Sequence, residues 1–269
     1  MRNRQLNTKW EIKIFEEGIV STGREVSSIS FTPDGKTAYF CRGSEPPFFI
    51  MESHFENGIW SNPCISSFSG KYHDVDPFVS PDGKRLYFSS RRPSKLSEVE
   101  CSRIWYAERS GELWGEPIEF EYPINTDYNE VFPAVTNEGT LYFTSSRPGG
   151  KGFSDIYYSK FVDGRYTEPC RLGDAINTDG MEFDAFIAPD ESYILFTRKV
   201  DKFGFDIFIS LYKNNSWTEA KSISELLGIT EKMRVAPSMS ENARRIYFTS
   251  EGNICYIDDF DFLIKDNLG

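Results

Sequence analysis

Several chemistries are thinly supplied in this chain of 269 residues. It holds 5 cysteines and 2 histidines. Cys41, Cys64, Cys101, Cys170 and Cys255 form no CxxC pair and no Cys/His cluster, so a zinc ligand set is missing. Their odd number and irregular spacing suit free thiols in a reducing compartment, and a cytoplasmic location is expected. Runs of 18 apolar residues are absent, which excludes a membrane-spanning helix. The opening residues Met1 to Asn7 lead into no apolar stretch and do not read as a signal peptide. Positive charge is in deficit: Lys and Arg total 30 against 41 Asp and Glu, a net −11. A chain this acidic repels phosphate backbones, so nucleic acid is not an expected partner. No HExxH, Walker loop, nucleophile elbow or dinucleotide fingerprint occurs. Gly149-Gly150-Lys151-Gly152 opens no helix and is a weak phosphate candidate.

What the chain has in quantity is aromatic residues, at 16% with 23 Phe, which favour strands. They recur. Tyr39-Phe40, Tyr87-Phe88, Tyr142-Phe143, Leu195-Phe196 and Tyr247-Phe248 are separated, Phe to Phe, by 48, 55, 53 and 52 residues. A turn precedes each pair: Pro33-Asp34-Gly35, Pro81-Asp82-Gly83 and Asn137-Glu138-Gly139, then the degenerate Pro189-Asp190-Glu191 and Glu241-Asn242-Ala243. An isoleucine-centred third strand follows, at Ile50, Ile104, Ile156, Ile207 and Ile254. Ten residues beyond the first four stand Trp60, Trp114, Tyr166 and Trp217. Each unit therefore reads as four short strands. One helical turn is possible at Ser222 to Leu227.

The fifth unit lacks its aromatic, while Trp10 stands without a unit of its own. Trp10 precedes Glu25 by 15 residues, within the 14 to 17 seen from Trp60 to Asp74, Trp114 to Glu130, Tyr166 to Glu182 and Trp217 to Arg234. The N-terminal strand is thus expected to complete the C-terminal unit, which closes a ring and removes two unpaired edges. The prediction is an all-β fold: a five-bladed β-propeller of four-stranded antiparallel blades. One domain spans 1–269, with blades near 25–70, 74–122, 130–174, 182–222 and 234–257 plus a strand near 8–15.

Glu130-Val131-Phe132-Pro133-Ala134-Val135, Leu141 to Gly150, and Ser154-Asp155-Ile156-Tyr157 resemble the WD40-like, or PD40, repeat of TolB-like propellers. Ile124-Asn125-Thr126 and Ile176-Asn177-Thr178 resemble the lead-in to that repeat. The resemblance covers about residues 10 to 257 and implies a propeller; the repeat serves translocation factors, peptidase accessory domains and polysaccharide lyases. It also implies that Asp155 and Asp206, with Asn253 in the same column, meet a second-strand Arg or Ser within the blade. Arg42, Arg91, Arg147 and Arg198 are the arginines in question.

The column opening the first strands reads Glu25, Asp74, Glu130, Glu182 and Arg234, with His73 beside Asp74 and further acids at Asp76 and Asp184. First strands line a propeller's channel, so these residues are candidates for an acidic ligand-binding ring at its mouth. The other reading is structural: acids at strand starts accept hydrogen bonds from the preceding loop. The expected function is non-enzymatic binding of a protein segment or small polar ligand at that mouth, with no cofactor, as a monomer. The alternative is a hydrolase or lyase acting on a glycan or phosphoester there. His73, Glu130, Glu182 and Asp184 would then be the catalytic candidates, with Ca²⁺ as the possible metal. The aromatic column of Trp10, Trp60, Trp114 and Trp217 reads as packing between blades.

Overall fold

The computed structural model describes residues 10–23, 26–111, 113–201, 204–229, 234–240 and 243–261. Five antiparallel sheets follow one another as the blades of a propeller. Blade one is built from Val26–Phe31, Thr37–Arg42 and Phe49–Glu56, with an outer strand in two pieces, Ile59–Trp60 and Cys64–Ile65. Blades two, three and four repeat this from Asp74–Val79, Glu130–Val135 and Glu182–Ile187. Blade five holds Val235–Met239, Ile246–Ser250 and Asn253–Ile257. Its outer strand is Lys13–Ile14, which pairs antiparallel with it in the register Lys13↔Tyr256 and Ile14↔Cys255. The ring is closed as the displaced tryptophan predicts. Trp10 itself lies ahead of the paired residues, three before Lys13, which holds the register position of the outer strands. Trp60, Trp114, Tyr166 and Trp217 stand four before the equivalent outer-strand residues Cys64, Ile118, Cys170 and Lys221.

The recurring residues are the core. Phe40, Phe88, Phe143, Phe196 and Phe248 are at most 1% exposed, and Ile50, Ile104, Ile156, Ile207 and Ile254 are fully buried. Each such burial contributes roughly 1.5–3 kcal/mol. The aromatic column has a directional role: each member shares a cluster with a second-strand residue of the preceding blade. The Trp114 indole N–H donates to the Tyr39 hydroxyl at 3.0 Å. Tyr166 packs in one cluster with Tyr87, Trp217 with Tyr142, Trp60 with Tyr247, and Trp10 with Leu195. Trp10 therefore joins the cluster shared by blades four and five.

The lead-in asparagines sew outer strands to third strands. Asn125 accepts from Ile104 N–H and donates to the Ile104 and Phe120 carbonyls; Asn177 does the same with Ile156 and Leu172. The short helix is Ile223–Leu227, capped by the Ser222 side chain accepting from Glu225 N–H.

Every first strand is broken by a bulge at the same place. Ser28, Asp76, Phe132, Asp184 and Ala236 all take positive φ, between 50° and 58°. The bulge turns each backbone N–H out of its own ladder. In four seams a side chain from the preceding blade takes it: Ser28 N–H donates to Thr249, Asp76 to the Cys41 thiol, Phe132 to Ser89 and Ala236 to Thr197, at 3.0–3.2 Å. Thr144 occupies that column between blades three and four, where its buried hydroxyl makes no hydrogen bond. An unbonded buried hydroxyl is costly, whereas a bonded one is not. Thr144→Val should therefore leave stability unchanged or raise it, while Thr197→Val should lose about 1–2 kcal/mol in urea unfolding. Equal losses at both positions would contradict this girdle.

Candidate functional site

The structure sorts the predicted ring into two sets. The strand-opening acids do not converge on the axis. Asp74, Glu130 and Glu182 are fully buried inside their blades. Asp74 accepts from Ser90 Oγ at 2.6 Å, Ser69 Oγ at 2.9 Å and Arg92 Nη2 at 2.8 Å. Glu130 accepts from Thr126 N–H and Oγ1 at 2.9 and 2.7 Å, from Ser145 Oγ at 2.9 Å and from Arg147 Nη2 at 3.4 Å. Glu182 accepts from Thr178 N–H and Oγ1 at 3.0 and 2.6 Å and from Arg198 Nε at 3.0 Å. These carboxylates are latches between the incoming loop and the second strand. Leaving the arginine buried and unpaired would cost about 3–5 kcal/mol. The structural reading of this column is the one its geometry bears out.

Four details depart from the expected pattern. Glu25 lies outside the described residues, and the strand register puts Val26, opposite Arg42, in the blade-one position of Asp74. The second-strand arginines serve these first-strand acids instead of Asp155 and Asp206, and in blade two the partner is Arg92, not Arg91. Asp155 instead pairs with Arg171 at 3.4 Å and accepts from Lys151 and Gly152 N–H at 2.8 and 3.3 Å, so a protein carboxylate already fills the glycine-rich loop. Asp206 accepts from Ser222 and Ser224, and Ser224 in turn accepts from Arg234 Nη1 at 2.7 Å.

His73 is also placed away from the axis. Its Nδ1 accepts from Phe48 N–H at 3.1 Å, and its ring packs on Phe48. Burial, with Arg91 nearby, lowers its pKa. Arg234 is 3% exposed beneath Phe248 and does not reach the channel ring.

The axis belongs to the bulge column. Ser28, Asp76, Phe132, Asp184 and Ala236 line a cavity of about 40 Å³, collared by Pro77, Phe78, Pro133, Phe186 and Pro237. Asp76 and Asp184 thus share this cavity. Ser28 Oγ donates to Asp76 at 3.3 Å; Thr197 Oγ1 and Ala236 N–H donate to Asp184 at 3.0 and 2.9 Å. Burial raises the Asp76 pKa to about 7; burial, aided by the charge on Asp76, raises that of Asp184 to about 8. The recurring prolines at 77, 133 and 237, inside strands, are the sequence signal that marks this bulge. The cavity has room for one or two waters, far below the 300 Å³ of a small-ligand site. Among the described residues, no group of three or more His, Cys, Asp or Glu stands together to hold a metal ion.

A second region is set by topology. First strands begin and second strands end on one face, which carries the loops 43–48, 91–102, 120–129, 146–154 and 172–181. On it Leu96, Tyr122 and Phe153 are 57, 72 and 77% exposed, with Val99, Tyr128 and Val200 also exposed. The exposed apolar residues elsewhere, such as Phe55, Ile59, Leu113 and Phe161, lie on the repeating outer hairpins.

Comparison with known proteins adds the fold. No family model matches the chain, and no curated protein does. Among solved structures, TolB from Acinetobacter baumannii superposes with a TM-score of 0.55 at 16% identity, covering 87% of this chain and 54% of that one. The chain spans about half the length of that protein. The fold is a TolB-like β-propeller. Alpha-L-arabinofuranosidase from Lactobacillus brevis superposes with a TM-score of 0.54 at 12% identity over 89% of this chain and 92% of that one. A nidogen/laminin complex gives 0.50 at 14% identity, over 75% and 66%. A glycosidase and a protein complex thus share this architecture, and at these identities the likeness shows the fold and names no role or ligand.

The buried carboxyl pair at the axis has a pH consequence. An unfolded aspartate titrates near 3.8, and the folded pair titrates near 7 and 8. Folding takes up protons in that window, so the pair's contribution is whole below pH 4 and is lost as pH rises through 8. Asp184→Asn should gain stability over the wild type by at least about 1 kcal/mol between pH 5 and 9 in urea unfolding. A gap that does not change with pH would contradict the placement of the pair.

Proposed function

We propose that the chain is a recognition scaffold that takes a protein segment on the loop face of blades two to four. One observation carries this reading: Leu96, Tyr122 and Phe153 stand exposed on loops that differ from blade to blade, in an otherwise repeating structure. Single exposed apolar residues are ordinary, but several on one loop face mark interaction surfaces. Loops also carry function while the sheets beneath hold them in place. The nidogen/laminin propeller, seen within a protein complex, supports the same use of the fold. The hydrogen bonds that hold Asp74, Glu130 and Glu182 inside the blades favour the loop face over the channel mouth as the recognition element.

The glycan-hydrolase alternative draws on Asp76 and Asp184, a carboxyl pair of raised pKa, and on the arabinofuranosidase likeness. A cavity of about 40 Å³ admits no sugar ring, so the pair lacks a substrate path.

Photo-crosslinking residues placed at 96, 122 and 153, and at 113 and 161 on the hairpins, should separate the faces in cells of the native host. The first set should each give the same discrete protein adduct, and the second set none. Adducts from the hairpin positions alone, or from none of the five, would overturn the reading.

A further inference from the structure

Blade two carries the longest second-to-third connection, residues 91–102, against 43–48, 146–154 and 200–204 in blades one, three and four. The loop is fastened to its neighbour: Lys95 N–H donates to Glu119 at 3.2 Å and Ser97 Oγ to Asp127 at 2.6 Å. Beneath it opens a cleft of about 570 Å³ bordered by Arg91, Pro93, Val99, Arg103 and Asn129. That volume lies within the range of small-ligand sites.

In a chain of net charge −11 this cleft gathers three guanidinium groups, Arg91, Arg92 and Arg103, in a lining that also holds Glu98 and Glu100. Arg92 is committed to Asp74. Arg91 is exposed, donates to Ser102 Oγ at 3.2 Å and pairs with no carboxylate among the described residues. Arg103 is 3% exposed, and its Nη1 donates to the Val99 carbonyl at 2.9 Å. Glu119 and Asp127 approach it only to 3.7 and 3.8 Å, and its Nη2 makes no hydrogen bond. Arg103 thus has two carboxylates within 4 Å and one buried N–H donor, at Nη2, left without a hydrogen bond. Glu98 and Glu100, exposed in the lining of the cleft itself, oppose a second negative charge in the ligand and limit the anion to one that reaches Arg91. Leu96 and Val99 supply apolar surface beside the cleft.

We propose that this cleft takes a single carboxylate adjoining an aliphatic group, held by Arg91 over Arg103, with the aliphatic part against Val99 and Leu96. Resting on the reading of the loop face as the recognition surface, it assigns the partner segment an acidic–aliphatic anchor.

The test is amide and arginine Nε–H NMR titration of the full chain with N-acetyl-leucine, N-acetyl-aspartyl-leucinamide, neutral N-acetyl-leucinamide and inorganic phosphate. A carboxylate probe should shift the amides of 91–103 and the Arg91 Nε–H saturably, and at least tenfold more tightly than the neutral amide. The stronger of the two carboxylate probes tells a chain-terminal anchor from a side-chain anchor. Arg91→Gln, at an exposed position, should melt as the wild type does and lose the preference. No saturable shift, equal binding of the neutral amide, tighter binding of phosphate, or a preference kept in Arg91→Gln would each overturn the proposal. A discrete adduct at position 153 would stand in any of those cases, so the two readings fail separately.

Discussion

The structure depends on one constraint: a ring of sheets is stable only if its two ends are the same sheet. Blade five meets this by taking three strands from the C-terminal part of the chain and Lys13–Ile14 from the other end. The pairing is short, so it is supported by packing. Trp10 packs against the cluster shared by blades four and five, and Phe15 lies between Phe31, Trp60 and Tyr247 at the seam between blades five and one. Phe15 N–H also donates to the Ile254 carbonyl at 2.8 Å, extending the ladder past Ile14. Closure fixes the angle between blades. That angle brings the five bulged first strands to one axis, at a spacing that leaves room for water only.

Two kinds of polar repetition coexist in this frame. Inside blades, the Asp74, Glu130 and Glu182 latches fix where each loop enters its sheet. Between blades, side chains of Cys41, Ser89, Thr197 and Thr249 satisfy the amides that the bulges turn outward. Both arise from the need to bond buried polar groups. The scaffold thereby commits most of its recurring charge to itself. What remains for recognition is what differs between blades: the 91–102 loop, Tyr122 and Phe153.

The ring itself was legible in the sequence because its signals are apolar and periodic. Phe40 and its four counterparts, the isoleucine column and the displaced Trp10 each report burial, and burial follows spacing. The acids were legible as a column but not in their role. A carboxylate repeated at Asp74, Glu130 and Glu182 looks the same in sequence whether it faces a channel or accepts from Thr126 and Thr178 of the preceding turn. The bulge decided the matter. It shifts the axis-facing position by two residues, onto Asp76 and Asp184, through a positive φ at non-glycine residues that composition does not announce. Only the prolines that follow it, at 77, 133 and 237, hinted at the break. The loop-face exposure of Phe153 and the cleft under 91–102 are tertiary facts, since neither has a spacing to read.

Closure by the N-terminal strand can be tested by a covalent link. Ile14 stands opposite Cys255 in the register, and antiparallel partners have Cα separations of about 4.5–5.5 Å, within the reach of a disulfide. Ile14→Cys should form a bond to native Cys255 under mild oxidation, identified by peptide mass mapping. It should also stabilise the chain by up to about 5 kcal/mol, as expected for a cross-link spanning nearly the whole chain. Thiols at 14 and 255 that remain free in the folded protein, or a bond from position 14 to the exposed Cys64 or Cys170 instead, would contradict the closed ring.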